Sequence, residues 1–178
     1  GSDWIQGAMR IARPWSLELM YTREMMAGLL LRQDSAWPRQ ALLVGLGAGS
    51  LVKFIYRHLP QCRMTVVEIN PQIERVARQY FKLPDDPARL RVVLADGADF
   101  LLAGDSHFDA IFVDAFDPKG EDCMMDMLQR ELPNASLLTI SFHGGLDRHY
   151  QRKLVLNRPA EDKFLSCSTP SCALKVPG

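Results

Sequence analysis

The sequence lacks an excess of charge of either sign. It contains 21 Lys and Arg residues and 21 Asp and Glu residues among 178, so its formal net charge at pH 7 is zero. This balance argues against the strongly basic surface on which nucleic-acid-binding proteins depend. We therefore expect no nucleic-acid partner.

Long apolar runs are also missing. No segment approaches the roughly 20 residues needed for a membrane-spanning helix, and no signal-peptide pattern opens the chain. These absences predict a cytoplasmic protein that does not associate with membranes. The opening Gly1-Ser2 resembles the remnant of an expression tag, so we expect natural residues upstream of it.

Cysteine is scarce and scattered. The chain has four cysteines, none of them in a Cys-x-x-Cys pair: Cys62, Cys123, Cys167 and Cys172. This spacing favours free thiols over a zinc site, and we predict no metal. The chain length fits one folded domain with a single core.

What the sequence does contain is an alternation of strands and helices. Short apolar runs rich in β-branched residues predict buried strands at 41–45, 64–69, 90–96, 108–114 and 135–142. Helical periodicity predicts helices at 50–59, from Pro71, at 98–102 and at about 121–132. The alternation indicates an α/β protein with a Rossmann-like, doubly wound, mostly parallel sheet. Two further segments, 153–157 and 172–176, could form a terminal antiparallel strand pair.

The chain divides at residue 40 in this interpretation. Residues 1–40 form a leading segment with one helix, and residues 41–178 form a Rossmann-like, nucleoside-binding catalytic domain. The helix is predicted from apolar residues that recur at helical spacing between Leu17 and Leu29.

A glycine-rich turn follows the first strand. Gly45, Gly47 and Gly49 allow a sharp bend and the close approach of a ligand. Their G-x-G-x-G spacing differs from the G-x-G-x-x-G of dinucleotide-binding proteins, in which a pyrophosphate lies on the helix N-terminus. The spacing favours an S-adenosylmethionine loop and makes a NAD-dependent dehydrogenase a distant alternative.

Acidic residues follow the next two strands. Glu68 ends the second strand and is placed to accept hydrogen bonds from ribose hydroxyls. Asp96, followed by Gly97 after the third strand, could reach an adenine amino group. Each feature alone is also explained by an ordinary turn or a solvated acid, but their succession at three strand ends favours a nucleoside site.

Four segments together resemble the spermidine synthase (polyamine aminopropyltransferase) family. They are "YTREMM" (21–26), "VVEIN" (66–70), "DDPARLRVVLADGADFL" (85–101) and "FDAIFVDAFDP" (108–118). The resemblance implies the class I methyltransferase fold and transfer of an aminopropyl group from decarboxylated S-adenosylmethionine to a polyamine such as putrescine. It is also compatible with a homodimer.

The resemblance implies a role for each matching position. Asp114 would be the general base and Asp117 would help to bind the substrate amine, whereas Tyr21 on the leading helix could line the substrate pocket or only pack there. Neighbouring carboxylates suit this chemistry, because an amine is a cation at neutral pH and must lose a proton to attack. The remaining implied residues would bind the cofactor: Gly45, Leu46, Gly47, Gly49, Glu68, Ile69, Asp96 and Gly97.

The sequence departs from the family within the glycine loop. Ala48 stands where the family carries an Asp that holds the amino end of the decarboxylated cofactor, so intact S-adenosylmethionine is an equal candidate. Phe116 stands where the family usually has a small hydroxyl residue. The family's N-terminal β-rich domain cannot fit before Ala41, so we expect a longer protein or a reduced relative. A methyltransferase and a non-catalytic nucleoside-binding relative remain alternatives.

Overall fold

Seven strands form one mixed sheet in the part of the chain that the structure describes. The computed structural model describes residues 7–31, 36–103, 107–115, 137–142, 151–156 and 164–167. The strands lie in the order β3-β2-β1-β4-β5-β6-β7, and their bounds are β1 Gln40–Val44, β2 Arg63–Glu68, β3 Leu90–Leu94, β4 Ala110–Ala115, β5 Leu137–Phe142, β6 Gln151–Leu156 and β7 Phe164–Cys167.

The first five strands run parallel, and the last two are antiparallel additions at one edge. Strand β1 is central, because it pairs with β2 on one side and with β4 on the other. The winding therefore reverses between β1 and β4, and a crevice opens at their carboxyl ends.

Four α-helices and one short 3-10 helix lie in the described ranges. They are α1 Met20–Ala27, the 3-10 helix Gly28–Leu31, α2 Ser50–His58, α3 Pro71–Tyr80 and α4 Gly97–Ala103. Helix α3 begins as the sequence predicts. The Asn70 side chain accepts a hydrogen bond from the Gln72 backbone N–H at 2.9 Å, and Pro71 is the first helical residue.

Helices cover both faces of the sheet. Successive strand residues point to opposite faces, so Leu43 packs in one apolar cluster while its neighbour Leu42 packs in the other. The first cluster includes apolar residues of α1, α2 and α3, and the second includes Leu101 of α4. The predicted doubly wound α/β architecture is confirmed.

The leading segment is part of the same core. Leu17, Met25, Met26 and Trp37 are buried with residues of β1 and α2. Helix α1 also contacts α2 and β5. The division at residue 40 remains a prediction about domain organisation.

Several predicted boundaries are corrected at the strand ends. Strand β3 ends at Leu94 rather than at residue 96, and β4 begins at Ala110 rather than at residue 108. The terminal antiparallel pair exists, but its second strand is Phe164–Cys167, which lies between the two segments predicted for the pair. The predicted strand 172–176 and helix 121–132 lie outside the described residues. No described helix is long and apolar enough to cross a membrane.

Candidate active site

The glycine loop has a backbone conformation that residues other than glycine rarely adopt. Gly45, Gly47 and Gly49 have φ values of 94°, 51° and 66°, all in the left-handed region. Gly49 also serves as the N-cap of α2, and a Cβ atom there would lie 2.9 Å from the Leu83 side chain. The three glycines therefore set the shape of the turn, in which Gly47 is exposed at the carboxyl end of β1.

Glu68 holds this loop from the neighbouring strand. The residue is only 8% exposed. One oxygen accepts the Leu46 backbone N–H at 2.9 Å, and the other accepts the Asn70 backbone N–H at 2.9 Å. A carboxylate has about four acceptor positions, so both bonds leave capacity for ribose hydroxyls. The sequence pointed to Glu68 as a ligand residue but did not reveal that it ties the loop to the start of α3.

Ile69 and Asp96 lie at the ends of β2 and β3. Ile69 is 69% exposed although it is apolar. One oxygen of Asp96 accepts the backbone N–H groups of Ala98 at 2.8 Å and Asp99 at 3.3 Å. Asp96 thus caps α4 as well as lying beside the predicted adenine position, and this capping role was missed in the sequence.

Gly97 allows α4 to begin close to the sheet. A Cβ atom at this position would lie 2.5 Å from the Val44 Cγ1 atom, well inside van der Waals contact. The glycine is therefore explained by the packing of α4 on β1, whether or not it also contacts a ligand.

Asp114 is the penultimate residue of β4 and is hydrogen-bonded to a residue 93 positions away in the sequence. The Tyr21 hydroxyl of α1 donates a hydrogen bond to Asp114 Oδ2 at 3.2 Å. Asp114 is partly exposed, so its carboxylate is both oriented and accessible. Its predicted helper Asp117, like Phe116, lies outside the described residues.

A small cavity brings the Tyr21–Asp114 pair and the glycine loop together. Its lining comprises Tyr21, Leu43, Gly45, Leu46, Gly47, Ala48, Ser50, Leu51, Val52 and Asp114. The lining includes the predicted base, one predicted substrate residue and three of the predicted loop residues. Glu68, Ile69, Asp96 and Gly97 lie at the adjacent strand ends rather than in this cavity.

Ala48 is buried beneath the leading segment. A Cβ atom on Gly7 would lie 2.6 Å from the Ala48 Cβ atom, so the two backbones approach as closely as the small side chains allow. No carboxylate lies at residues 45–50 of the loop. The space beside Ala48 is filled by the chain itself.

Lys53 of α2 was not singled out in the sequence. The residue is 4% exposed, and its Nζ donates to the Ala48 carbonyl at 2.9 Å and to the Phe81 carbonyl at 2.7 Å. Burial lowers the pKa of Lys53 from 10.5 to about 8. A signal was present, because Lys53 falls among the apolar residues Leu51, Val52 and Ile55 rather than on a solvated face.

The described residues contain no group of His, Cys, Asp and Glu side chains that could hold a metal ion. Cys62 is a buried free thiol, and burial raises its pKa from 9.0 to about 12. The described part of the site therefore consists of backbone groups, two strand-end carboxylates, the helix-capping Asp96, one tyrosine and one buried lysine.

The chain is similar in sequence to known transferases. The family model of the spermine/spermidine synthase domain matches residues 18–130, more than half of the chain. A polyamine aminopropyltransferase from Neisseria meningitidis is 35% identical over 160 residues, covering 85% of this chain and 59% of the relative. The chain thus spans about three fifths of that relative's length.

The chain is also similar to known methyltransferases. The eEF1A lysine and N-terminal methyltransferase homolog of Drosophila melanogaster is 44% identical over 92 residues, covering 50% of this chain and 13% of the relative. The crystal structure of human methyltransferase-like protein 13 in complex with SAH superposes with a TM-score of 0.59 at 24% identity, covering 69% of this chain and 64% of that one. These matches show that the chain belongs to the spermine/spermidine synthase family and has the class I methyltransferase fold.

Proposed function

We propose that this chain is a transferase that binds S-adenosylmethionine or its decarboxylated form and transfers an aminopropyl group to a polyamine such as putrescine. One observation carries the proposal. The cavity at the carboxyl ends of β1 and β4 joins an oriented carboxylate, Asp114, to a glycine loop. Similarity to the Neisseria polyamine aminopropyltransferase supports the same reaction.

The residues at the strand ends fit an adenosyl group. The glycine loop has no side chain at three positions with positive φ, so a ligand can approach its backbone closely. Glu68 has acceptor capacity for ribose hydroxyls, and the exposed Ile69 offers an apolar surface beside them. Asp96 and Gly97 lie at the next strand end, where adenine is expected. When bound, the sulfonium makes an adjacent carbon electrophilic.

Asp114 is suited to receive a proton from an amine. An ammonium group is attracted to the carboxylate and must lose a proton before or during attack on the carbon. Tyr21 donates to Oδ2 and so fixes the orientation of the carboxylate while leaving it able to accept from the substrate. As the amine nitrogen bonds to the carbon, the carbon–sulfur bond breaks and a neutral thioether leaves.

Asp117 is proposed as a second carboxylate for the substrate cation, on the strength of the sequence alone. The polyamine acceptor and a homodimer remain proposals from the resemblance, and a cytoplasmic location remains a proposal from the sequence pattern.

A methyltransferase is the second candidate, and Ala48 favours it. The loop carries no acid, and Gly7 packs against Ala48 where the family's Asp would lie. The similarity to the Drosophila methyltransferase homolog points the same way. In this alternative the same site uses intact S-adenosylmethionine and an acceptor of another kind.

Calorimetry separates the candidates. S-adenosylmethionine, its decarboxylated form and methylthioadenosine are titrated separately, each with and without putrescine, and products are identified by mass spectrometry. Aminopropyl transfer predicts that putrescine alters nucleoside binding and that spermidine forms. Binding of intact S-adenosylmethionine without any effect of putrescine would favour the methyltransferase. If none of the three nucleosides binds, the proposed site is wrong.

Asp114→Asn tests the assigned base. The substitution preserves shape and removes the proton acceptor, so we expect transfer to fall by at least about a hundredfold. Nucleoside affinity should stay within a few-fold, because Glu68 and the loop are untouched. Loss of nucleoside binding instead would show that Asp114 supports the cofactor and is not the base.

A further inference from the structure

We propose that Lys53 is a positioning residue that holds the glycine loop in the conformation required for nucleoside binding. The inference rests on the proposed function of the loop as an adenosyl-binding element. Lys53 lies behind the loop rather than in the cavity lining, so its effect is exerted through the backbone of Ala48.

The contact of Lys53 with the loop controls one peptide unit. Ala48 stands between Gly47 and Gly49, two residues with positive φ that also tolerate other conformations. Because a peptide unit is planar, the bond from Lys53 Nζ to the Ala48 carbonyl also sets the direction of the Gly49 N–H. That N–H donates to the Leu46 carbonyl at 2.8 Å and closes the turn. Without Lys53, the hydrogen bond from the Gly49 N–H to Leu46 is left to oppose rotation of this peptide, because Gly49 itself tolerates a wide range of φ.

The second contact of Lys53 anchors it to α3. Phe81 is the C-cap residue of α3, and its carbonyl accepts from Nζ at 2.7 Å. A cation is favourable there, since carbonyl groups at a helix C-terminus carry partial negative charge. The Phe81 ring also lies 5.6 Å from the ammonium.

Both ends of α3 are thereby connected to the loop. At the start of the helix, Glu68 bridges the Asn70 and Leu46 N–H groups. At its end, Lys53 bridges the Phe81 and Ala48 carbonyls. The loop is thus held from two sides. The Glu68 carboxylate accepts a hydrogen bond from a loop N–H, and the Lys53 ammonium donates one to a loop carbonyl.

Burying a lysine without an ion pair is costly, so packing alone does not explain its presence. An apolar residue would fill the same space but would leave the buried Ala48 carbonyl and the part-buried Phe81 carbonyl without this donor. Even a neutral amine keeps two N–H groups, so the connection persists when Lys53 loses its proton.

Lys53→Met tests the proposal, with Lys82→Met as the matched control. Lys82 is an exposed lysine that follows Phe81 directly and bonds only weakly, at 3.3 Å, to the Ile11 carbonyl. Folding of each variant is verified by circular dichroism and urea denaturation. Affinity for S-adenosylhomocysteine is then measured by calorimetry, and amide exchange of residues 45–50 by mass spectrometry.

We expect Lys53→Met to weaken S-adenosylhomocysteine binding by about tenfold or more, with faster exchange in the loop. Lys82→Met should bind within about twofold of the natural protein. If Lys53→Met does not fold, Lys53→Gln replaces it; its amide reaches one carbonyl at most, so a smaller loss in the same direction is expected.

A purely structural role would give a different result. Lys53→Met would then unfold at lower urea concentration but would bind S-adenosylhomocysteine normally and show unchanged loop exchange, which overturns the proposal. Where the natural protein binds methylthioadenosine and not S-adenosylhomocysteine, methylthioadenosine replaces it in the comparison; if neither nucleoside binds, the proposed function fails instead. The loop-exchange comparison then still decides whether Lys53 positions the loop.

Discussion

The buried ammonium of Lys53 should make the stability of the protein rise with pH above neutrality. Its pKa is lowered from 10.5 to about 8 because burial disfavours the charged form. Between these values the unfolded chain holds a proton that the folded protein has released. The free energy of unfolding therefore increases as pH rises from about 8 to 10.5.

The size of the effect follows from the two pKa values. At about 1.4 kcal/mol for each pH unit between them, keeping Lys53 charged in the folded state costs about 3 kcal/mol below pH 8. Raising the pH from 7.5 to 9.5 should recover about 2 kcal/mol of this cost.

Cys62 has the opposite effect on the pH dependence of the free energy of unfolding. Burial raises the pKa of its thiol from 9.0 to about 12, so stability is lost between these values as the unfolded thiol ionises. At pH 9.5 this loss is about 1 kcal/mol. The total pH dependence of the natural protein thus understates the contribution of Lys53.

Comparison with Lys53→Met isolates the contribution of Lys53 to the pH dependence of stability. Urea denaturation of both proteins at half-unit intervals from pH 7.5 to 9.5 gives two curves that share Cys62 and every other titrating group. The difference between the curves should grow by about 2 kcal/mol in favour of the natural protein. The difference at a single pH is not diagnostic, because the variant also loses two hydrogen bonds.

A flat difference would refute this reasoning. It would mean that Lys53 has the same pKa in the folded and unfolded protein, so the side chain is solvated and its two carbonyl contacts do not persist. A difference that falls with pH would require a partner of negative charge close to Lys53.

Three further predictions concern single contacts. Tyr21→Phe removes the hydroxyl that orients Asp114, so we expect transfer to fall by roughly tenfold with nucleoside affinity preserved; an equal loss in both would assign Tyr21 to nucleoside binding. Gly97→Ala should destabilise the protein by about 1–3 kcal/mol in urea, and Val44→Ala in the same chain should restore part of the loss; unchanged stability would show that α4 can move off β1 freely. Cys62 should resist alkylation at pH 8 in the folded protein and react in urea, as peptide mapping would show, whereas rapid labelling without denaturant would contradict its burial.

The sequence predicted helices and strands best where their bounds depend on neighbouring residues. Period-two and period-3.6 patterns report which face of a segment is apolar, so β1, α2 and α3 were located to within a residue or two. Asn70-Pro71 marked the start of α3 because capping depends only on neighbouring residues. Boundaries were poorer for β3 and β4, whose apolar patterns run into turn residues.

The candidate site was predicted in part. Glycines with positive φ and acids at strand ends carry local signatures, and the parallel sheet places them at one edge. The sequence could not show that Glu68 is already bonded to the loop, that Asp96 caps α4, or that Ala48 is covered by Gly7. Each of these contacts depends on how closely two segments of backbone approach in space. The spacing of apolar residues along the sequence does not predict that distance.

By itself, the sequence determined the alternation of strands and helices, the family and the residues available for chemistry. Only the tertiary structure decided that Tyr21 meets Asp114 across 93 positions and that Lys53 joins the loop to α3. The physical reason is that strand order and helix placement arise from the joint burial of both faces of the sheet. Contacts between distant segments are a result of that packing and are not encoded in either segment alone.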